Sequence, residues 1–168
     1  TRRSSDLHRP LSISVNLSAL QLARADLPGQ IEDILQESGL DGRHLWLEIT
    51  EGAIMQEVDL AAEVLAGLRA SGVRVHIDDF GTGYSSLGLL HRLPVDALKI
   101  DRSFVERVGT DREAGIAETI ITLAHSLGMH AIAEGIDTPE RLKRLRGMGC
   151  DYGQGYHFAK PADARTAE

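Results

Sequence analysis

The 168-residue sequence is poor in several of the features that would point to a specialised class. It has one cysteine, Cys150, which excludes an internal disulfide and any cysteine-rich metal cage. No apolar run approaches the roughly 18 residues of a membrane span. It lacks an excess of positive charge: the formal net charge is −7, whereas a protein that grips nucleic-acid phosphates is usually basic. No DNA or RNA partner is therefore expected. An anionic ligand stays open if divalent cations accompany it and offset local carboxylates. There is no signal-peptide pattern and no initiating methionine, since the chain starts at Thr1. The expectation is a cytoplasmic domain, from a soluble or a membrane-anchored parent, with part of that parent lying upstream.

What is present is an ordinary globular balance, 42% hydrophobic and 26% charged, enough for one domain with its own core. The polar ends, 1–10 and 162–168, flank a body of 11–161. Six short apolar runs punctuate it: SISVNLS (12–18), HLWLEIT (44–50), VRVHIDDF (73–80), ALKID (97–101), HAIAEG (130–135) and YGQGYHF (152–158). Helical spacing separates them, at Ile31, Ile34 and Leu35, at Leu60, Val64 and Leu68, and at Ile116, Ile120, Leu123 and Leu127. Gly39, Gly72 and Gly128 close these helices, and Thr138-Pro139-Glu140 opens another. Strand followed by helix, repeated, predicts βα units and a parallel sheet.

The strands alternate. Val73, Val75 and Ile77 share one face, while Arg74, His76 and Asp78 share the other. Strands of an open doubly wound sheet are covered on both faces and favour apolar residues throughout. One apolar and one polar face predicts instead an α/β fold of the TIM-like (β/α) barrel type. His76 reads as a buried histidine and Trp46 as core.

Polar residues fall at the strand ends: Asn16, Glu48 with Glu51 beyond it, Asp78 and Asp79, Lys99, Glu134 and Gln154. In such a barrel these ends meet at the C-terminal mouth, where the chemistry is placed. Carboxylates gathered there repel one another, and a divalent cation relieves this. An all-oxygen ligand set selects hard cations. An Asp-Asp pair can serve two metals about 3.5–4 Å apart, a recurring arrangement for phosphodiester hydrolysis. Lys99 would offer positive charge to phosphate oxygens. Any one of these acids alone is more often a helix cap or surface charge. Glu51 could cap a helix, FGTGYSSL (80–87) could be only a tight turn, and Gln154 could simply satisfy backbone groups.

Taken in order, VNLSALQL (15–22), EITE (48–51), DDFGTGYSSL (78–87), LKIDRSFV (98–105), AEGIDT (133–138) and GCDYGQGYHFAKP (149–161) resemble the successive motifs of EAL-domain cyclic di-GMP phosphodiesterases. The resemblance runs from about residue 11 to 161. It implies metal binding at Asn16, Glu48, Asp78, Asp79 and Glu134, and places Lys99 near the scissile phosphate. It makes Lys99, Asp78, Asp79 and Glu134 the catalytic group and puts Gln154, with Lys99, at the substrate. Glu51 would steady the loop Phe80, Gly81, Thr82, Gly83, Tyr84 and Ser85, which in the family links active site and dimer interface. It further implies hydrolysis of cyclic di-GMP to linear pGpG with Mg2+ or Mn2+, inhibition by Ca2+, and a parent fused to sensory or GGDEF modules. Asp137 stands where the family usually has Glu. The family's opening Glu-Ala-Leu segment has no counterpart here. About six of eight barrel strands are therefore expected, with open edges that favour a homodimer or swapped assembly. The isolated chain is expected to be weak or inert. A non-hydrolytic cyclic di-GMP receptor and an inactive truncated remnant are the alternatives.

Overall fold

The computed structural model describes residues 11–83, 87–108 and 114–162. These divide into two compact units, one holding the described residues of 1–77 and 84–96, the other those of 78–83 and 97–162.

The first unit contains the strands β1 (Ile13–Asn16) and β2 (Leu45–Thr50) and the opening of β3 (Arg74–Phe80), in that order. β1 and β2 run parallel, with Ile13 opposite Leu45 and Asn16 opposite Glu48. β2 shows the anticipated alternation. Leu45, Leu47 and Ile49 are buried, while Trp46 and Glu48 on the other face are only partly so. Between the strands lie α1 (Ala19–Leu22), α2 (Leu27–Ser38), α3 (Glu51–Ile54) and α4 (Val58–Ala70), and α5 (Leu87–Leu90) follows β3. Pro28 stands in the first turn of α2, and Gly39 ends that helix in the left-handed conformation, φ 68°. Helices α2 and α4 pack together, and α4 buries Ala61, Val64, Leu65 and Leu68. Truncating one such fully buried leucine, Leu65 or Leu68, costs about 2–5 kcal/mol. His76 is buried as read, its ring 4.9 Å from that of Trp46, whereas Trp46, expected in the core, is only partly buried. The four residues of β1 are all exposed, Ile13 and Val15 among them.

The second unit holds the end of β3, then β4 (Ala97–Ile100), β5 (His130–Ala133) and β6 (Tyr152–Gly153). β4, β5 and β6 are parallel neighbours, with Lys99 opposite Ile132 and Ala133 opposite Gly153. Helices α6 (Arg102–Glu106), α7 (Ala114–Ser126) and α8 (Pro139–Gly147) accompany them. Helix α7 packs on β4 and β5, burying Ala117, Ile120, Ile121 and Ala124. Thr138 caps α8 by accepting the Arg141 N–H, with Pro139 in the first turn, as the sequence suggests.

β6 is much shorter than the apolar run around it. The chain leaves the strand at Gln154, whose carbonyl accepts the Ile136 N–H, and the Ile136 carbonyl accepts the His157 N–H. The run 154–158 thus folds against the segment after β5 and does not prolong the sheet. The short helices α1, α3, α5 and α6, of four or five residues each, were also not foreseen.

Candidate active site

The second unit gathers five of the anticipated polar residues. Asp78 lies on β3, Lys99 on β4, Glu134 just beyond β5 and Gln154 just beyond β6. The Lys99 side chain is 3% exposed, and its ammonium sits 2.9 Å from Asp78 Oδ1 and 2.6 Å from Glu134 Oε1. A lysine stem emerging from the wholly buried β4 can be desolvated only because two carboxylates receive its charge. Gln154 Nε2 donates to Glu134 Oε1 at 3.3 Å, and the Glu134 N–H donates to the Ile100 carbonyl. Glu134 is therefore held from both neighbouring strands.

Asp79 joins them by a backbone device. Successive side chains of a regular strand point to opposite faces, which would send Asp79 away from Asp78. Asp79 instead has φ 52°. Among the described residues it is the sole non-glycine in the left-handed region, which Asp tolerates better than most. The turned backbone lets Asp78, Asp79 and Glu134 each bring a carboxylate oxygen within 4.8 Å of the others. Burial, foremost, and then the charges of Asp78 and Asp101 hold the Asp79 carboxyl above its ordinary range, with Lys99 opposing. Three carboxylates face one ammonium, an excess of negative charge that a divalent cation would offset. The donor set, all oxygen, fits a hard cation.

The loop after the pair starts with Phe80, buried, and Gly81, φ 98°. A Cβ at Gly81 would also lie 3.0 Å from the Phe104 ring. Thr82 Oγ1 donates to the Asp79 carbonyl at 2.8 Å and closes the turn, and Gly83 is exposed. Tyr84 and Ser85 lie outside the described residues.

In the first unit, the strand register sets Asn16 beside Glu48, and the Leu17 N–H donates to the Glu48 carbonyl at 2.8 Å. Both border an open hollow of about 540 Å³ that also touches Ser18, Gln21 and Thr50. Glu51 is buried at the head of α3.

Sequence reasoning missed several residues. Asp101 caps α6 by accepting the Ser103 N–H and raises Asp79 by its charge. A cavity of about 430 Å³ opens beside Glu134 and Gln154, walled by Arg102, Gly135, Asp137 and Tyr156. The only available signal was position, since all of these follow a strand end. No described helix is long and apolar enough to cross a membrane.

Known proteins resemble the chain throughout. It is 44% identical over 162 residues to the cyclic di-GMP phosphodiesterase NbdA of Pseudomonas aeruginosa, covering 96% of this chain and 21% of that protein. It thus spans about a fifth of the length of that curated relative. A solved structure of the MucR phosphodiesterase in complex with cyclic di-GMP superposes with a TM-score of 0.91 at 39% identity, over 98% of this chain and 67% of that one. A calcium and cyclic di-GMP complex of BlrP1 from Klebsiella pneumoniae gives 0.80 at 32% identity, over 90% and 39%. The EAL domain model matches residues 1–161. Match and architecture agree, and the chain belongs to the EAL domain family, with six of the strands of its TIM-like barrel.

Proposed function

We propose that this domain serves a phosphodiesterase that hydrolyses cyclic di-GMP to linear pGpG with Mg2+ or Mn2+, and that Ca2+ inhibits it. The observation that carries the reading is the buried Lys99 between Asp78 and Glu134, with Asp79 turned toward the same point. The relatives' activity and their complexes with cyclic di-GMP support it.

Asp78, Asp79 and Glu134 are suited to hold the cation, and family resemblance adds Asn16 and Glu48 to the metal-binding residues. A bound divalent ion supplies Lewis acidity at the phosphoryl oxygen and lowers the pKa of water. The other work belongs to the chain. Lys99 is held at a fixed place by its two carboxylates, so its charge meets the phosphoryl oxygens without reorganisation as negative charge builds there. Gln154 fixes the orientation of Glu134. The oxygen of water forms a new bond to phosphorus, the P–O3′ bond breaks, and the proton of water ends on the departing 3′ oxygen. One water is consumed and one phosphodiester becomes a 5′-phosphate. Among the described strands β1 stands at the end of the order, with Ile13 and Val15 exposed, which supports pairing of that edge with a second copy.

The test is chromatography of cyclic di-GMP incubated with the full-length protein and Mn2+, Mg2+ or Ca2+. Conversion to pGpG with the first two only is expected. Tight binding without conversion under every ion would replace this reading with a non-hydrolytic receptor. The absence of both binding and conversion would overturn it.

A further inference from the structure

The segment that leaves β5 with Glu134 and enters α8 at Pro139 walls the cavity beside the acidic cluster. Its first turn depends on Gly135, φ 69°, where a Cβ would lie 2.4 Å from Cγ of Arg102. Glycine there lets the Arg102 stem lie directly across the segment. The Arg102 guanidinium donates from Nε to Glu106 Oε1 at 2.5 Å, one turn along α6. Arg102 also borders the cavity.

Arg141, on α8, does not line the cavity, yet it ties together the parts that do. One of its nitrogens, Nη1, pairs with the Asp137 carboxylate, and Nη2 donates to the Glu106 carbonyl at 3.0 Å. The Asp137 carboxyl is drawn below its usual range, chiefly by the Arg141 hydrogen bond. Asp137, Arg141, Glu106 and Arg102 thus form a chain of contacts that starts and ends on the cavity wall. The planar guanidinium reaches the carboxylate and the backbone carbonyl from two separate nitrogens, whereas a lysine would have to reach both from one.

We propose that Arg141 is a positioning residue for ligand binding: it clasps Asp137 to the end of α6 and so sets Arg102 at the cavity edge, where its charge meets the anionic cyclic dinucleotide. This rests on the reading of cyclic di-GMP as the ligand. Glu134 and Lys99 are anchored by their own bonds and stay in place without the clasp.

The experiment measures KM and kcat for cyclic di-GMP with Mn2+, the dissociation constant with Ca2+, and a thermal melt, in full-length wild type, Arg141→Gln, Arg141→Lys, Arg102→Gln and the double Gln variant. Arg141→Gln is expected to raise KM by about tenfold and leave kcat within about threefold, below the roughly hundredfold lost when a reacting group is misplaced by 1 Å. Arg141→Lys should recover part of the loss. The double variant should be no worse than Arg102→Gln alone, because both act through one group. Unchanged KM, or single-variant effects that multiply, would overturn the proposal. A fall in melt and kcat together at constant KM would make the clasp structural. If Arg141→Gln does not fold, Asp137→Asn carries the same test with a smaller expected rise in KM. A wild type that neither binds nor hydrolyses cyclic di-GMP overturns the underlying reading instead.

Discussion

The second unit holds carboxylates at both ends of its strands, and the two ends solve opposite problems. At the N-terminal end, Asp151 precedes β6. Its Oδ2 accepts the Ala131 N–H at 2.8 Å and meets His125 Nε2 at 2.9 Å, and His130 Nδ1 lies 3.8 Å from Oδ1. Although burial opposes ionisation, these donors hold the Asp151 carboxyl below its usual range. At the C-terminal end, Asp78, Asp79 and Glu134 crowd one ammonium, and Asp79 is held above its usual range. One carboxylate is saturated by donors within its own chain. The others are short of positive charge. The difference separates an acid that fastens the fold from acids that, on the function proposed above, serve a ligand, and burial alone would not have told them apart.

The sharpest way to break this comparison is Asp78→Asn. It keeps the shape and removes a charge assigned to the cation, so turnover of cyclic di-GMP should fall roughly a thousandfold or more. The melt in chelator should fall only modestly, because Glu134 keeps its contact with the buried Lys99. Near-normal turnover would remove Asp78 from the metal site, and a collapsed melt would make it structural.

Lys99→Met tests the same end from the other side. It leaves Asp78 and Glu134 without their shared cation. The metal-free protein should lose roughly 3 kcal/mol, the low end of the range for breaking a buried pair, because both acids keep some solvent contact. Added Mn2+ should restore much of that loss in a denaturant titration. No recovery would argue against a cation at these acids.

Asp151→Ala addresses the opposite end. It strands the Ala131 N–H and should cost about 1–3 kcal/mol, while KM and kcat stay as in wild type. The sign of its pH dependence follows from the lowered pKa. Asp151 contributes its full stabilisation above the unfolded carboxyl value of about 3.9 and loses it as pH falls through the lower folded value. The variant and wild type should therefore converge in strong acid.

Asp79→Asn carries the smallest effect on stability and the reverse sign. A raised folded pKa means that ionised Asp79 opposes folding at neutral pH and stops doing so as pH falls through that value. Melts in chelator should show the variant equal to or slightly above wild type at pH 7, with the gap closing in acid. Asn tolerates the left-handed φ of this position, so the substitution isolates charge from backbone strain.

The strands were legible because burial against helices demands an apolar face, which β2 displays residue by residue and β3 at Val75 and Ile77. The helices α2, α4, α7 and α8 were legible through their periodicity and caps. Helices of four or five residues have no period to read, so α1, α3, α5 and α6 went unseen. Asp78, Lys99, Glu134 and Gln154 could be picked out because each stands at or near a strand end. Arg102 and Arg141 could not. Each looks like an ordinary surface arginine until α6 and α8 are placed beside each other.

The sequence by itself therefore determined the order of strands and helices, the family, and the roster of acids, since these depend on residue type and local spacing. Tertiary structure decided how the acids differ. The two-sided contact of Lys99 joins three strands, and the donors of Asp151 come from β5 and α7. The turn at Asp79 reverses what strand alternation would dictate. Charge balance at a carboxylate is set by neighbours distant in sequence, and only the folded chain brings them within a few ångströms.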